Sequence, residues 1–125
     1  VAASSRALLA LAGLDGLMAV AAGAFGAHGA HDPTVQTLLR TGAQYQATHA
    51  VAALAVLAPP QLAPRLASWA GWLFGVGALV FGASLYALAF SGVKLLGAIT
   101  PLGGLMLMAG WAVVIWAGLS HRARI

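Results

Sequence analysis

The stretch ALLALAGLDGLMAVAAGAFGA, residues 7–27, decides the fold. It is apolar from end to end except for Asp15. About 20 such residues, rising 1.5 Å each in a helix, cross the hydrocarbon core of a bilayer. A secretory signal has an apolar core of only about 7–15 residues followed by a cleavage site. This run is longer, and its Gly/Ala-rich part offers no clear processing point. It reads as a retained first membrane span.

Working outward, three more spans follow. Asp32-Pro33 is a helix start, with Asp32 as cap and Pro33 in the first turn. The second span, about residues 35–58, has an apolar body from Thr41 and ends at Pro59-Pro60. The third, about 68–90, lies between Pro64 and Ser91-Gly92. The fourth lies within 95–119 and contains Thr100-Pro101. Proline inside a helix removes a hydrogen bond and kinks it. One reading, slightly favoured, is a kinked helix from Leu95. The other makes Thr100 the cap and Val93–Ile99 a short interfacial or re-entrant piece. The expectation is a single all-α transmembrane domain over residues 1–125, a four-helix bundle with short loops.

Composition agrees. The chain has 125 residues, of which 62% are apolar and 6% charged. Its mean hydropathy is +0.94. A soluble domain carries about 25% charged residues, enough to cover a wet surface. The net charge of +4 does not point to nucleic acid, because the basic residues stand singly. They read as topology signals facing lipid headgroups. Arg6, Arg65, Arg122 and Arg124 fall on one side of the membrane, Arg40 and Lys94 on the other. The positive-inside rule then places both termini in the cytoplasm. Of Trp69, Trp72, Trp111 and Trp116, two are expected to be interface anchors. There is no cysteine, hence no thiolate chemistry or disulfide framework.

Glycine and alanine recur at helical spacing: Ala12–Gly16, Gly71–Gly75, Ala78–Gly82 and Gly23–Gly26–Gly29. Small residues on one face let helix backbones approach closely. Gly23, Gly26, Gly71, Gly75, Gly82, Gly103 and Gly104 are the expected packing positions. A second small-residue face would serve self-association, and Gly71 or Gly75 would be where enlargement disrupts an interface.

Within this apolar frame, polar residues are the candidates for function. Asp15 sits in mid-span, where a charge is expensive unless paired or neutralised. Tyr45 and His49, four apart, share a helix face, with Gln46 at its edge. With His28, Ser84, Tyr86 and Thr100 they compose a polar cluster running from the outer face toward the midplane. It reads either as interhelical hydrogen bonding or as a binding or proton-relay site. His28, His31 and Asp32 have the elements of a surface metal site but no fixed motif, so no metal and no cofactor is expected. The chain contains no Glu, which excludes a His-Glu-x-x-His site. Ser84, His49 and Asp15 could be written as a triad, but nothing local marks Ser84 as a nucleophile.

Several stretches also resemble a known family. Gly23-Ala-Phe-Gly-Ala-His28, Thr41-Gly-Ala-Gln-Tyr-Gln46 with His49, Phe81-Gly-Ala-Ser-Leu-Tyr86, Thr100-Pro-Leu-Gly-Gly104 and Gly110-Trp111 occur in that order. They resemble the pattern of a small bacterial inner-membrane family, domain of unknown function 423, to which a small eukaryotic transmembrane family is related. The resemblance implies a four-span protein of the bacterial inner membrane. It implies no established activity. His28, Tyr45, Gln46, His49, Ser84, Tyr86, Thr100 and Pro101 match the pattern. Asp15 stands where a small or weakly polar residue is expected, which shifts weight to the His28–Gln46–His49 group.

The sequence thus leads to a non-enzymatic scaffold or partner-binding component of the inner membrane. Its partners would be lipids and a second copy or another membrane protein, not nucleic acid. The alternative is a small transporter, channel or lipid- or small-ligand-binding protein that uses the intramembrane polar cluster.

Overall fold

The structure, a computed structural model, describes residues 3–58 and 62–120. The expected span end at Pro59-Pro60 and the basic pair Arg122 and Arg124 lie outside the described residues. Four helices follow in order: α1 (Ala3–His28), α2 (Pro33–Ala55), α3 (Pro64–Ser91) and α4 (Thr100–Ser120), with a short 3-10 helix over Lys94–Ala98 before the last. The chain is an all-α membrane bundle.

Each boundary has a local cause. The α1 end is closed by Gly29 and Ala30 N–H groups, both donating to the Phe25 carbonyl. Gln36 Nε2 donates to the Ala30 carbonyl at 2.6 Å and pins the short connection. At α2, Asp32 Oδ1 accepts from the Thr34 N–H at 2.7 Å and Pro33 occupies the first turn. This satisfies one of the donors a helix start leaves open. Pro64 opens α3. Its end turns on Gly92 at φ 71°, a left-handed conformation that only glycine takes without strain. The fourth span begins tightly wound. The 3-10 helix passes through Ile99 into α4, with Pro101 in its first turn. The bend expected at Thr100-Pro101 is therefore a junction between two helix types, and α4 proper starts at Thr100.

Helices α1, α3 and the segment from Lys94 to Ser120 are long and apolar enough to cross a membrane. Helix α2 is long enough, at 23 residues, but carries more polar side chains. It turns two of them, Gln46 and His49, into the bundle. Outward-facing apolar residues are numerous: Leu17 is 69% exposed, Val20 72% and Leu119 81%. In water such a surface would drive aggregation; in lipid it is the fitting solvent contact.

Helix α3 packs against each of the other three. Residue pairings give the up-down-up-down course. Gly23 lies at Ala43 and Gly26 at Leu39, so α1 and α2 run antiparallel. Gly42 meets Tyr86 and Gly82 meets Gln46 across α2 and α3. Gly71 and Gly75 face Leu8 and Leu11 of α1. These two glycines pack α3 against α1 within the chain. A methyl at Gly71 would meet Leu8 and Val56, and one at Gly75 would meet Leu11 and Leu8, side chains rather than backbone.

The seam between α3 and α4 is tighter. A Cβ added at Gly103 would lie 2.6 Å from the Phe81 backbone nitrogen and 3.0 Å from the Gly77 carbonyl oxygen. A Cβ at Gly110 would lie 2.6 Å from the Phe74 ring. Gly104, one position on, has Phe81 ring atoms no nearer than 4.0 Å. The buried cluster of Ala12, Ala53, Phe74, Ala78 and Leu107 fills the centre.

Candidate functional site

Asp15 is fully buried near the middle of α1. One carboxyl oxygen, Oδ1, accepts from Gln46 Nε2 at 2.9 Å. The Gln46 carbonyl oxygen, Oε1, accepts from the Tyr86 hydroxyl at 2.7 Å. A single chain of hydrogen bonds therefore runs from α1 through α2 to α3. Its middle member, Gln46, is also fully buried. The close approach of Gly82 and Gly42 makes room for it. A Cβ at Gly82 would sit 2.7 Å from Gln46 Oε1, and one at Gly42 would sit 2.6 Å from the Tyr86 ring.

The other carboxyl oxygen, Asp15 Oδ2, is buried and has no hydrogen-bond partner in the described chain. Ionised, it is an acceptor without a donor; protonated, a donor without an acceptor. Leaving such a group unsatisfied costs about 1–3 kcal/mol, and native structures leave few. No basic side chain is paired with it among the described residues. Met18 Sδ, 3.7 Å from Gln46 Nε2, is a weak further acceptor beside the carboxyl.

Two further polar links join other helices. Trp111 Nε1 donates to His49 Nε2 at 2.9 Å, and His49 Nδ1 lies 2.6 Å from the Tyr45 carbonyl oxygen. An indole N–H only donates and a carbonyl only accepts. These partners place the His49 hydrogen on Nδ1. Phe74 packs on both rings, with centroids 5.7 Å from His49 and 4.8 Å from Trp111. At the α3–α4 junction, Ser84 Oγ donates to the Phe81 carbonyl at 3.0 Å. The Thr100 hydroxyl, 2.6 Å away, then donates to Ser84 Oγ.

The one continuous cluster expected from the sequence is thus three separate links. His28 is not part of any. It ends α1, is exposed, and stands 13 residues, about 20 Å, along the helix from Asp15. The His28–Gln46–His49 grouping is corrected accordingly: Gln46 pairs with Asp15, and His49 pairs with Trp111. The Tyr45 side chain is half exposed, lies against Phe81 at 4.9 Å between centroids and stacks parallel to the His49 ring at 6.3 Å, while its backbone carbonyl faces His49 Nδ1. Ser84, His49 and Asp15 make no hydrogen bonds to one another. Among the described residues no group of three or more metal-ligating side chains converges. Trp111, one of the four tryptophans among which two anchors are expected, bonds His49 across the bundle, a link its spacing does not announce. The Gly110-Trp111 stretch was the signal that could have found it, since Gly110 seats Phe74 beside the indole. Trp69 fits the anchor role better: it is exposed, with the Arg65 guanidinium 5.9 Å above its ring.

A cleft opens beside the Asp15–Gln46–Tyr86 chain. It lies between α1 and α3, holds about 340 Å³, and is lined by Met18, Ala21, Ala22, Phe25, Tyr86 and Phe90. Tyr86 gives its hydrogen to Gln46 and keeps an oxygen lone pair able to accept.

Comparison with known proteins places this arrangement. Over 48 residues the chain is 52% identical to a UPF0382 membrane protein of Staphylococcus haemolyticus, a stretch covering 38% of this chain and 39% of that protein. Over 80 residues it is 36% identical to the UPF0382 inner membrane protein YgdD of Escherichia coli, covering 62% and 60%. The similarity thus spans between two fifths and three fifths of these relatives' lengths. No solved structure matches. Residues 22–104 match the family model described as "Protein of unknown function (DUF423)", a stretch that holds Gln46, His49, Ser84, Tyr86 and Thr100 and leaves Asp15 and Trp111 outside, and the chain belongs to that family.

Proposed function

We propose that this chain is a non-catalytic membrane protein that binds, and carries, a small amphiphile through the Asp15–Gln46–Tyr86 chain. The supporting observation is the buried, unpartnered Asp15 Oδ2, joined through Gln46 to Tyr86, which lines the neighbouring cleft. The ligand class follows from the surroundings. Met18, Phe25 and Phe90 accept an apolar body, and the Tyr86 oxygen accepts from a hydroxyl or amine at its head. Localisation in the bacterial inner membrane, with both termini cytoplasmic, belongs to the same proposal. So does kinship to a small eukaryotic family.

A second reading, as a scaffold, draws on different residues. Gly13, Gly16 and Gly118 have no neighbouring atom within 4 Å of an added Cβ, so they leave open helix surface for a second copy or another membrane protein.

Native mass spectrometry of the gently extracted protein, with identification of retained small molecules, separates the two. Binding predicts a reproducible non-lipid mass that Asp15→Asn and Tyr86→Phe both reduce at least severalfold, while His28→Ala retains it. A bare protein, or a mass indifferent to both substitutions, contradicts the binding reading.

A further inference from the structure

A different face of the bundle carries a second site. Ala19, Val20, Gly23, Gly26 and Ala27 of α1 and Arg40, Ala43, Gln44 and Ala47 of α2 wall a groove of about 320 Å³. On α2 these positions recur at three and four residues, so they share one helix face. Small side chains keep the floor low; Gly23 and Gly26 bring α1 close to Ala43 and Leu39.

The groove is polar at one end only. Arg40 lies seven residues into α2, about 10 Å from the helix start, level with Gly26. From Arg40 the walls run about 10 Å deeper to Ala47, with Gln44 the single other polar side chain. Arg40 lacks a countercharge of its own. The chain has only two acidic residues. Asp15 is buried against Gln46, and Asp32 caps the Thr34 N–H two helical turns away. No ion pair involving Arg40 exists among the described residues.

We infer that this groove holds one anionic phospholipid. Its phosphate meets Arg40 and Gln44, and an acyl chain lies along Gly23, Ala43, Ala47 and Ala19. The polarity fits a lipid's own orientation, with the charged head toward the membrane face and the tail toward the midplane. A guanidinium also donates in a fork that matches phosphate oxygens. The site is independent of Asp15, which faces the bundle interior.

The test uses the full chain in nanodiscs of equimolar phosphatidylglycerol and phosphatidylcholine. After partial delipidation, the ratio of the two lipids retained is measured by mass spectrometry. The wild type is expected to favour phosphatidylglycerol about fivefold, what one basic side chain near an anionic surface provides. Arg40→Gln should bring the ratio to one. Ala47→Leu, which leaves the charge and fills the groove, should also bring it close to one. Asp15→Asn should leave the ratio unchanged, so this site and the amphiphile site fail separately. A wild-type ratio of one, or an undiminished preference in either Arg40→Gln or Ala47→Leu, overturns the inference.

Discussion

Gly103→Ala destabilises the bundle by about 1–3 kcal/mol, the range for forcing a methyl into a packed interior. Gly104→Ala, one residue on, is neutral or slightly stabilising. The contrast follows from what each methyl meets. At Gly103 it strikes the Phe81 backbone nitrogen at 2.6 Å and the Gly77 carbonyl at 3.0 Å, neither of which can rotate away. Relief requires α3 and α4 to separate, which also stretches the Ser84–Thr100 link. At Gly104 nothing lies nearer than 4.0 Å, and alanine has the better helix propensity by about 1 kcal/mol. Steric-trap unfolding of both variants in bicelles measures the difference. Equal stability of the two would mean that α3 and α4 do not pack backbone to backbone.

The second large effect is expected at Gln46. Removing its amide leaves Asp15 with neither oxygen partnered and orphans the Tyr86 hydroxyl. One interhelical hydrogen bond in a membrane contributes only about 0.6 kcal/mol on average. Gln46→Ala should exceed that, costing about 1–3 kcal/mol, because it strands the buried Asp15 carboxyl and the part-buried Tyr86 hydroxyl. Asp15→Ala in the same background should restore part of the loss, giving a coupling on the order of 1 kcal/mol. The same unfolding assay on the two single variants and the double provides the cycle. Strict additivity would separate the two residues energetically and remove the network.

Which parts of this were legible beforehand follows from locality. Spans are written in consecutive residues, so the run through Asp15 and the punctuation at Asp32-Pro33, Pro64 and Gly92 carry them. The α4 start was open because Thr100-Pro101 suits both a kink and a first turn. Asp15, Gln46 and Tyr86 were all recognisable as polar residues in an apolar setting. Their pairing was not, since Asp15 and Gln46 are 31 residues apart and Gln46 and Tyr86 are 40 apart. Helical spacing informs only on neighbours of the same helix. For that reason Gln46 was grouped with His49, three residues on, although the two face different partners. The Trp111–His49 bond is hidden for a related reason, since its partners lie 62 residues apart on different helices.

The pairings also separate structure from proposed function. His49–Trp111 and Ser84–Thr100 use their hydrogen-bonding groups on one another and on backbone carbonyls, which suits bundle-fixing contacts. The Asp15 chain ends in an unused oxygen. That difference is the reason for assigning the ligand to Asp15 and Tyr86 rather than to His49.

The most direct test is a high-resolution structure of the full chain extracted in its native lipid and held by a rigid binding partner for electron microscopy. The account predicts non-protein density within hydrogen-bonding distance of Asp15 Oδ2 and continuous with the cleft at Phe25, Tyr86 and Phe90. An Asp15 carboxyl enclosed only by protein side chains in every particle class would contradict it.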